Sequence, residues 1–123
     1  MSEEDVHKSI VDWLRYSLPE GSVFHHSPNE GNHKVQYRMK QKRLGVQFGW
    51  PDLEIFCNPT WWCGEKQWAP VFLEIKAEKG RLSENQKNVL EKLDKAGCYT
   101  TVVRSIDEAR SFLSKLMRLK DVS

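Results

Sequence analysis

Residues 70–77 read Pro-Val-Phe-Leu-Glu-Ile-Lys-Ala, and no other stretch constrains the chain as much. The run is apolar enough for the central strand of a sheet covered on both faces. It nevertheless carries Glu74 and Lys76 two positions apart, where a strand projects both side chains to one face. A carboxylate and an ammonium inside an apolar strand are costly unless they are paired or hold a metal.

A partner is offered by residues 52–57, Asp-Leu-Glu-Ile-Phe-Cys, which alternate as a strand does and open with Pro51-Asp52. If the two strands are neighbours, Asp52 and Glu74 converge. Two carboxylates, the Ile75 carbonyl and waters would then provide the hard oxygen ligands that Mg²⁺ prefers, and Lys76 would orient and help deprotonate an attacking water. The plainer reading is a Pro-Asp strand start and a surface Glu-x-Lys ion pair. The surroundings favour a site: residues 45–50 supply a flexible approach to Asp52, and Gly80-Arg81-Leu82-Ser83-x-x-Gln86 opens a capped helix aimed back at it.

Val6, Ile10, Trp13, Leu14 and Leu18 recur at helical spacing behind a Ser2 cap, predicting a helix over 3–18 that Pro19 and Gly21 end. Residues 22–26 form a short strand, and Ser-Pro-Asn-Glu-Gly-Asn after it is a turn. Residues 33–44 read as a basic helix or a mobile loop. Ser83-x-x-Gln86 and Ser105-x-x-Glu108 are capping boxes for helices over 84–96, with Gly97 as its stop, and over 106–119. Residues 99–104 are a β-branched strand. The order α, β, (α), β, β, α, β, α implies an α/β fold, a small mixed sheet with helices on both faces. A chain of 123 residues fits one domain spanning 1–123.

No apolar run approaches the ~20 residues a bilayer needs, and the start, Met-Ser-Glu-Glu-Asp, is acidic where a signal peptide would be basic. Secretory and membrane classes drop out, leaving a cytoplasmic protein of a bacterial or phage-infected cell as the expectation. Cys57, Cys63 and Cys98 are an odd number without a CxxC pair, which argues against a disulfide framework. Structural zinc on Cys57 and Cys63 lacks a His pair at ligand spacing. Cys57 and Cys98 are expected in the core, and His25, His26 and His33 as surface or DNA-facing bystanders. The net charge of +2 is built from blocks of opposite sign: −3 over 1–24, +4 over 25–50, −3 over 51–74 and +4 over 75–123. Acidic clusters beside basic blocks suit a site that holds cations and meets a polyanion, though solvated helix faces would also account for them.

Glu3-x-x-Val6, Pro28-Asn29-Glu30-Gly31, Gly45-Val46-x-x-Gly49-x-Pro51-Asp52, Glu74-x-Lys76 and Gly80-x-Leu82-Ser83-x-x-Gln86 occur in that order. Together they resemble the VRR-NUC (virus-type replication-repair nuclease) family of the PD-(D/E)xK nuclease superfamily, in its stand-alone form, from residue 3 to about 113. The resemblance implies a restriction-endonuclease-like core hydrolysing DNA phosphodiesters with Mg²⁺, for which Mn²⁺ substitutes. It assigns Asp52, Glu74, the Ile75 carbonyl and Glu3 to the metal, Lys76 as the catalytic lysine, and Gln86 beside the reacting phosphate. Glu3 and Glu4 compete for the role of first-helix acid. His7 departs from the family, which often has Gln there, and the connection holding Trp61, Trp62 and Trp68 is longer than usual.

The function implied is structure-selective cutting of branched DNA such as four-way junctions by a homodimer, since symmetric resolution takes two sites. The alternatives are a flap-cutting or restriction-type nuclease, or a DNA-binding module that does not cut. Lys34, Arg38, Lys40, Lys42 and Arg43 form the expected phosphate-binding surface, with Asn29 and Ser83 as further DNA contacts. Trp61, Trp62 and Trp68 offer more surface than their connection can bury. A dimer interface accounts for them best, ahead of base stacking or packing within the chain.

Overall fold

A computed structural model describes residues 1–28 and 34–121 of the chain. Asn29, Glu30 and His33, singled out above, lie outside the described residues.

The first helix, α1 (Glu3–Ser17), begins with a capping box. Ser2 Oγ accepts the Asp5 amide and Asp5 Oδ2 accepts that of Ser2, both at 3.1 Å. The chain continues through β1 (Val23–His26), α2 (Val35–Arg43), β2 (Leu53–Phe56), one 3-10 turn at Pro59–Trp61, β3 (Val71–Ile75), α3 (Glu84–Lys95), β4 (Tyr99–Val103) and α4 (Ile106–Leu113). The strands lie in the order β1-β2-β3-β4, antiparallel across the first two junctions and parallel between β3 and β4, with α3 as the crossover. This is the mixed α/β arrangement the sequence predicts.

Alternation decides which side chains meet which layer. Leu53, Ile55, Val71, Leu73, Ile75 and Val103 join Val6, Ile10, Trp13 and Leu14 of α1 and Ala109 and Leu113 of α4 in one apolar core. Phe72 and Glu74, on the opposite face of β3, are buried as well, so the central strand is covered on both sides. Val89 of α3 is buried outside that core, and α3 packs along β4. No helix among the described residues is long and apolar enough to cross a membrane.

Three local expectations change. The last helix ends at Leu113 and not at 119, because the following turns are drawn into pairing with the tryptophan connection. Cys63 and Gly64 donate to Leu116 O, Arg118 donates to Trp61 O, and Met117 bridges Trp62. These contacts bury Leu116, Met117 and Leu119, which outweighs the less than two further turns of helix that residues 114–119 would add. The Ser105 cap is only half a capping box, since the Glu108 carboxylate accepts the Arg104 amide at 2.9 Å. Cys57 is buried as expected, but Cys98 is half-buried, next to the edge strand β4.

The segment leading to β2 is set by a close approach. Gly49 has φ +87°, and a Cβ there would lie 2.6 Å from the Asn85 carbonyl carbon in the first turn of α3. Gly45, at φ +102°, faces open space. Gly45→Ala is therefore expected to cost only the left-handed penalty, about 1–2 kcal/mol. Gly49→Ala adds the clash and should lower the thermal midpoint further. Equal losses in the two variants would mean that the 45–50 segment is not seated on α3.

Candidate active site

Register brings the carboxylates together. Leu53 pairs with Leu73, so the residue before β2, Asp52, faces Glu74 across the two strands. Asp52 Oδ2 accepts the Ile75 amide at 2.7 Å, which ties its side chain to the end of β3. Glu74 is 2% exposed, and its Oε1 has no hydrogen-bond partner among the described residues. Burial above all, with the neighbouring Asp52 carboxylate adding to it, pushes the Glu74 carboxyl from 4.5 up to about 9.

Lys76 follows directly, 8% exposed, its amide donating to Val103 O in continuation of the β3–β4 ladder. Its Nζ lies 3.6 Å from Glu3 Oε1 in the first turn of α1. Glu4 pairs instead with Lys8 at 3.3 Å, both exposed, so of the two first-helix acids it is Glu3 that meets the buried lysine. The turn after Lys76 is held by Arg104, whose Nη1 donates to Ala77 O at 2.7 Å and Gly80 O at 2.8 Å. That turn delivers the α3 capping box: Ser83 Oγ accepts the Gln86 amide, and Gln86 Oε1 accepts the Ser83 amide at 2.9 Å.

A cleft of about 590 Å³ is lined by Glu3, Glu4, His7, Lys8, His26, Trp50, Asp52 and Gln86. Asp52, Glu74, Lys76, Glu3 and Gln86 are thus gathered from four separate segments. Ser83, expected to contact DNA, serves as the α3 N-cap. The residues present fit a divalent cation. A buried carboxylate oxygen without a donor, beside a second carboxylate and at the end of a strand, is the hard-oxygen environment such an ion takes.

Of the basic segment, Val35–Arg43 form a helix, and this α2 buries none of its side chains. Lys40, Lys42 and Arg43 lie in its last turn, Lys34 precedes its first, and the Arg38 guanidinium lies 4.7 Å over the Phe48 ring. The tryptophans divide. Trp62 is half-buried against the core, donates to Lys66 O and packs on Tyr99, with ring centroids 5.4 Å apart. Trp68 donates to Cys57 O at 2.7 Å yet stays 37% exposed, and Trp61 is 40% exposed.

Sequence reasoning passed over His7 and His26. His26, expected as a bystander, lines the cleft, because its place on β1 points it toward α1 at the level of Asp52. His7 follows Glu3 by one helical turn, and that i, i+4 spacing was the available signal. Burial, with the charge of His26 adding to it, holds the His7 imidazole below its ordinary pKa. Also absent from the sequence reading was a bonded group beside the site: Trp50 Nε1 and Ser27 Oγ both donate to Glu54 Oε1, and Trp50 packs edge-on against Phe72.

Comparison with known proteins adds two findings. The VRR-NUC domain family matches residues 1–107. A solved structure described as a VRR_NUC domain protein superimposes with a TM-score of 0.70 at 25% identity, covering 93% of this chain and 86% of its own. No curated protein matches the chain.

The raised Glu74 pKa has a measurable consequence without metal. The folded state holds this proton more tightly than the unfolded chain, so the stability it contributes is complete below pH 4.5 and is lost as pH rises through about 9. Glu74→Gln, neutral throughout, should melt above the wild type in EDTA, by a margin that widens across that window. Mg²⁺ should raise the wild-type midpoint and leave the variant's unchanged. Parallel pH profiles for the two proteins would rule out a strained Glu74 carboxylate.

Proposed function

The chain belongs to the VRR-NUC family, and on that premise we propose that it is a divalent-metal-dependent endonuclease that cuts branched DNA. Family membership carries a nuclease-type function with DNA as substrate. The observation that best supports metal-dependent cleavage is the meeting of Asp52 with a buried Glu74 oxygen that has no hydrogen-bond partner among the described residues, beside Lys76.

Asp52, Glu74 and the Ile75 carbonyl are the proposed ligands of Mg²⁺ or Mn²⁺, with Glu3 at the edge of the set. A bound cation supplies Lewis-acid polarisation of the scissile phosphate and lowers the pKa of its water. The protein's own groups do the rest. Lys76, held from the side by Glu3, directs its ammonium protons at the attacking oxygen and stabilises the negative charge that develops there. Gln86 engages its Oε1 in the helix cap, so its NH₂ is the end that donates to a phosphate oxygen. Arg104 keeps Lys76 and Gln86 in register by fixing the turn between them.

The basic residues of α2, together with Lys34, are the proposed phosphate-binding surface. A helix without buried residues gains little from packing on its own chain, and its charge is free to meet a polyanion. The homodimer is proposed to form through the apolar surface exposed at Trp61 and Trp68, with Trp62 retained by its own chain. Cleavage of junction, flap, linear duplex and single-stranded DNA, with Mg²⁺ and with EDTA, tests the reading. Preference for the junction supports it. Equal cutting of every shape points to a restriction-type enzyme, and binding without cutting points to a DNA-binding module.

Asp52→Asn is expected to abolish cleavage with DNA binding retained, because it removes a ligand charge and keeps the shape. Lys76→Ala should slow cleavage by about 10²-fold or more. Full activity in the former, or a loss below about threefold in the latter, would remove these residues from the chemistry. Reversing Lys40, Lys42 and Arg43 to Glu should weaken binding to all DNA shapes. It should also flatten the salt dependence, which steepens by about 0.9 in log-log slope per phosphate neutralised. An unchanged slope would leave α2 as a solvated helix.

A further inference from the structure

His7, His26 and Asp52 each present one donor atom, and the three atoms lie within 4.8 Å of one another. Their chemistry differs from that of the carboxylate pair. Mg²⁺ seeks oxygen ligands, whereas imidazole nitrogen suits first-row transition metals.

The His26 ring is already oriented for such a role. Its Nδ1 lies 2.8 Å from the Asp52 carbonyl oxygen, which can only accept, so in the neutral ring that a metal binds Nδ1 is the protonated nitrogen and Nε2 keeps its lone pair. Metal-binding histidines are held in this way, with the ring N–H spent on a carbonyl or carboxylate. The His7 ring meets that of His26 edge-on, at 4.5 Å between centroids and 85° between planes. A tetrahedral ion about 2.1 Å from each ligand sets any two of them about 3.4 Å apart. The three donors, within 4.8 Å of one another, therefore need to close by at most about 1.4 Å, which side-chain rotation supplies. Three protein ligands leave coordination positions open toward the cleft, as in sites where a water or substrate oxygen completes the shell.

We propose that His7, His26 and Asp52 form a second cation site that takes a first-row transition metal in preference to Mg²⁺. The site shares Asp52 with the catalytic pair proposed above but does not need Glu74, and that difference separates the two readings experimentally.

The test is a Co²⁺ titration of the full chain without DNA, in excess Mg²⁺. One equivalent of Co²⁺ is expected to bind with visible absorption and to produce two contact-shifted imidazole N–H signals in the proton NMR spectrum. His7→Gln and His26→Ala should each weaken Co²⁺ binding by at least about tenfold. Glu74→Gln should keep Co²⁺ while losing the stabilisation by Mg²⁺, so failure of the carboxylate pair would be seen apart from failure of this site. The proposal is overturned if Mg²⁺ displaces Co²⁺, if fewer than two imidazole signals shift in the wild-type protein, or if both histidine variants bind Co²⁺ as the wild type does. The wild-type spectrum decides the matter even if a variant fails to fold.

Discussion

Glu74 sits on the one strand of the sheet that is buried along its whole length, and a carboxylate in that position dictates much of what surrounds it. An ionised group there needs a counter-charge or a cation, and a protonated one needs a hydrogen-bond acceptor. The fold provides neither in full for Oε1. What it provides is a second carboxylate across the ladder, which raises the cost of ionisation in the absence of a cation. Such an arrangement is poor for stability and suited to binding a cation, the usual direction of compromise at a functional site.

The neighbouring elements are tied down in ways that keep this centre in place. Asp52 is anchored by the Ile75 amide, so β2 and β3 cannot slide past each other without losing that bond. Arg104, at the end of β4, grips the turn after Lys76 through two carbonyls, and the Gln86 cap begins a few residues later. Gly49 lets the approach to β2 lie against the first turn of α3. Helix α1 contributes from the other side, its apolar stripe in the core and its first two turns carrying Glu3 and His7 along one edge of the cleft.

Helix α2 and the tryptophan connection differ in character. Helix α2 exposes a series of cations, interleaved with Val35, Tyr37 and Met39, and buries no residue, which fits an electrostatic surface and gives it little packing of its own. The tryptophan connection is half absorbed by the chain itself. Trp62 and Met117 bridge, Trp62 packs on Tyr99, and the C-terminal segment folds over them in place of a longer helix.

The elements and the carboxylate pair were legible because both rest on short-range rules. Helical spacing, the Ser2 and Ser83 caps and strand alternation act over a few residues, and a charged pair inside the apolar run 70–77 signals its own need for partners. The end of α4 was not legible, since its last residues follow helical preference until contacts with residues 61–64, far off in sequence, draw them away. The roles of His7 and His26 were hidden for the same reason. One lies on a helix and the other on an edge strand, and only the packing of α1 against the sheet sets their rings together beside Asp52. By itself the sequence determined which residues need a partner, because burial and charge are properties of residue type and local pattern. Which partner each one meets was decided by tertiary structure, because it depends on strand register and on how the helices are laid across the sheet.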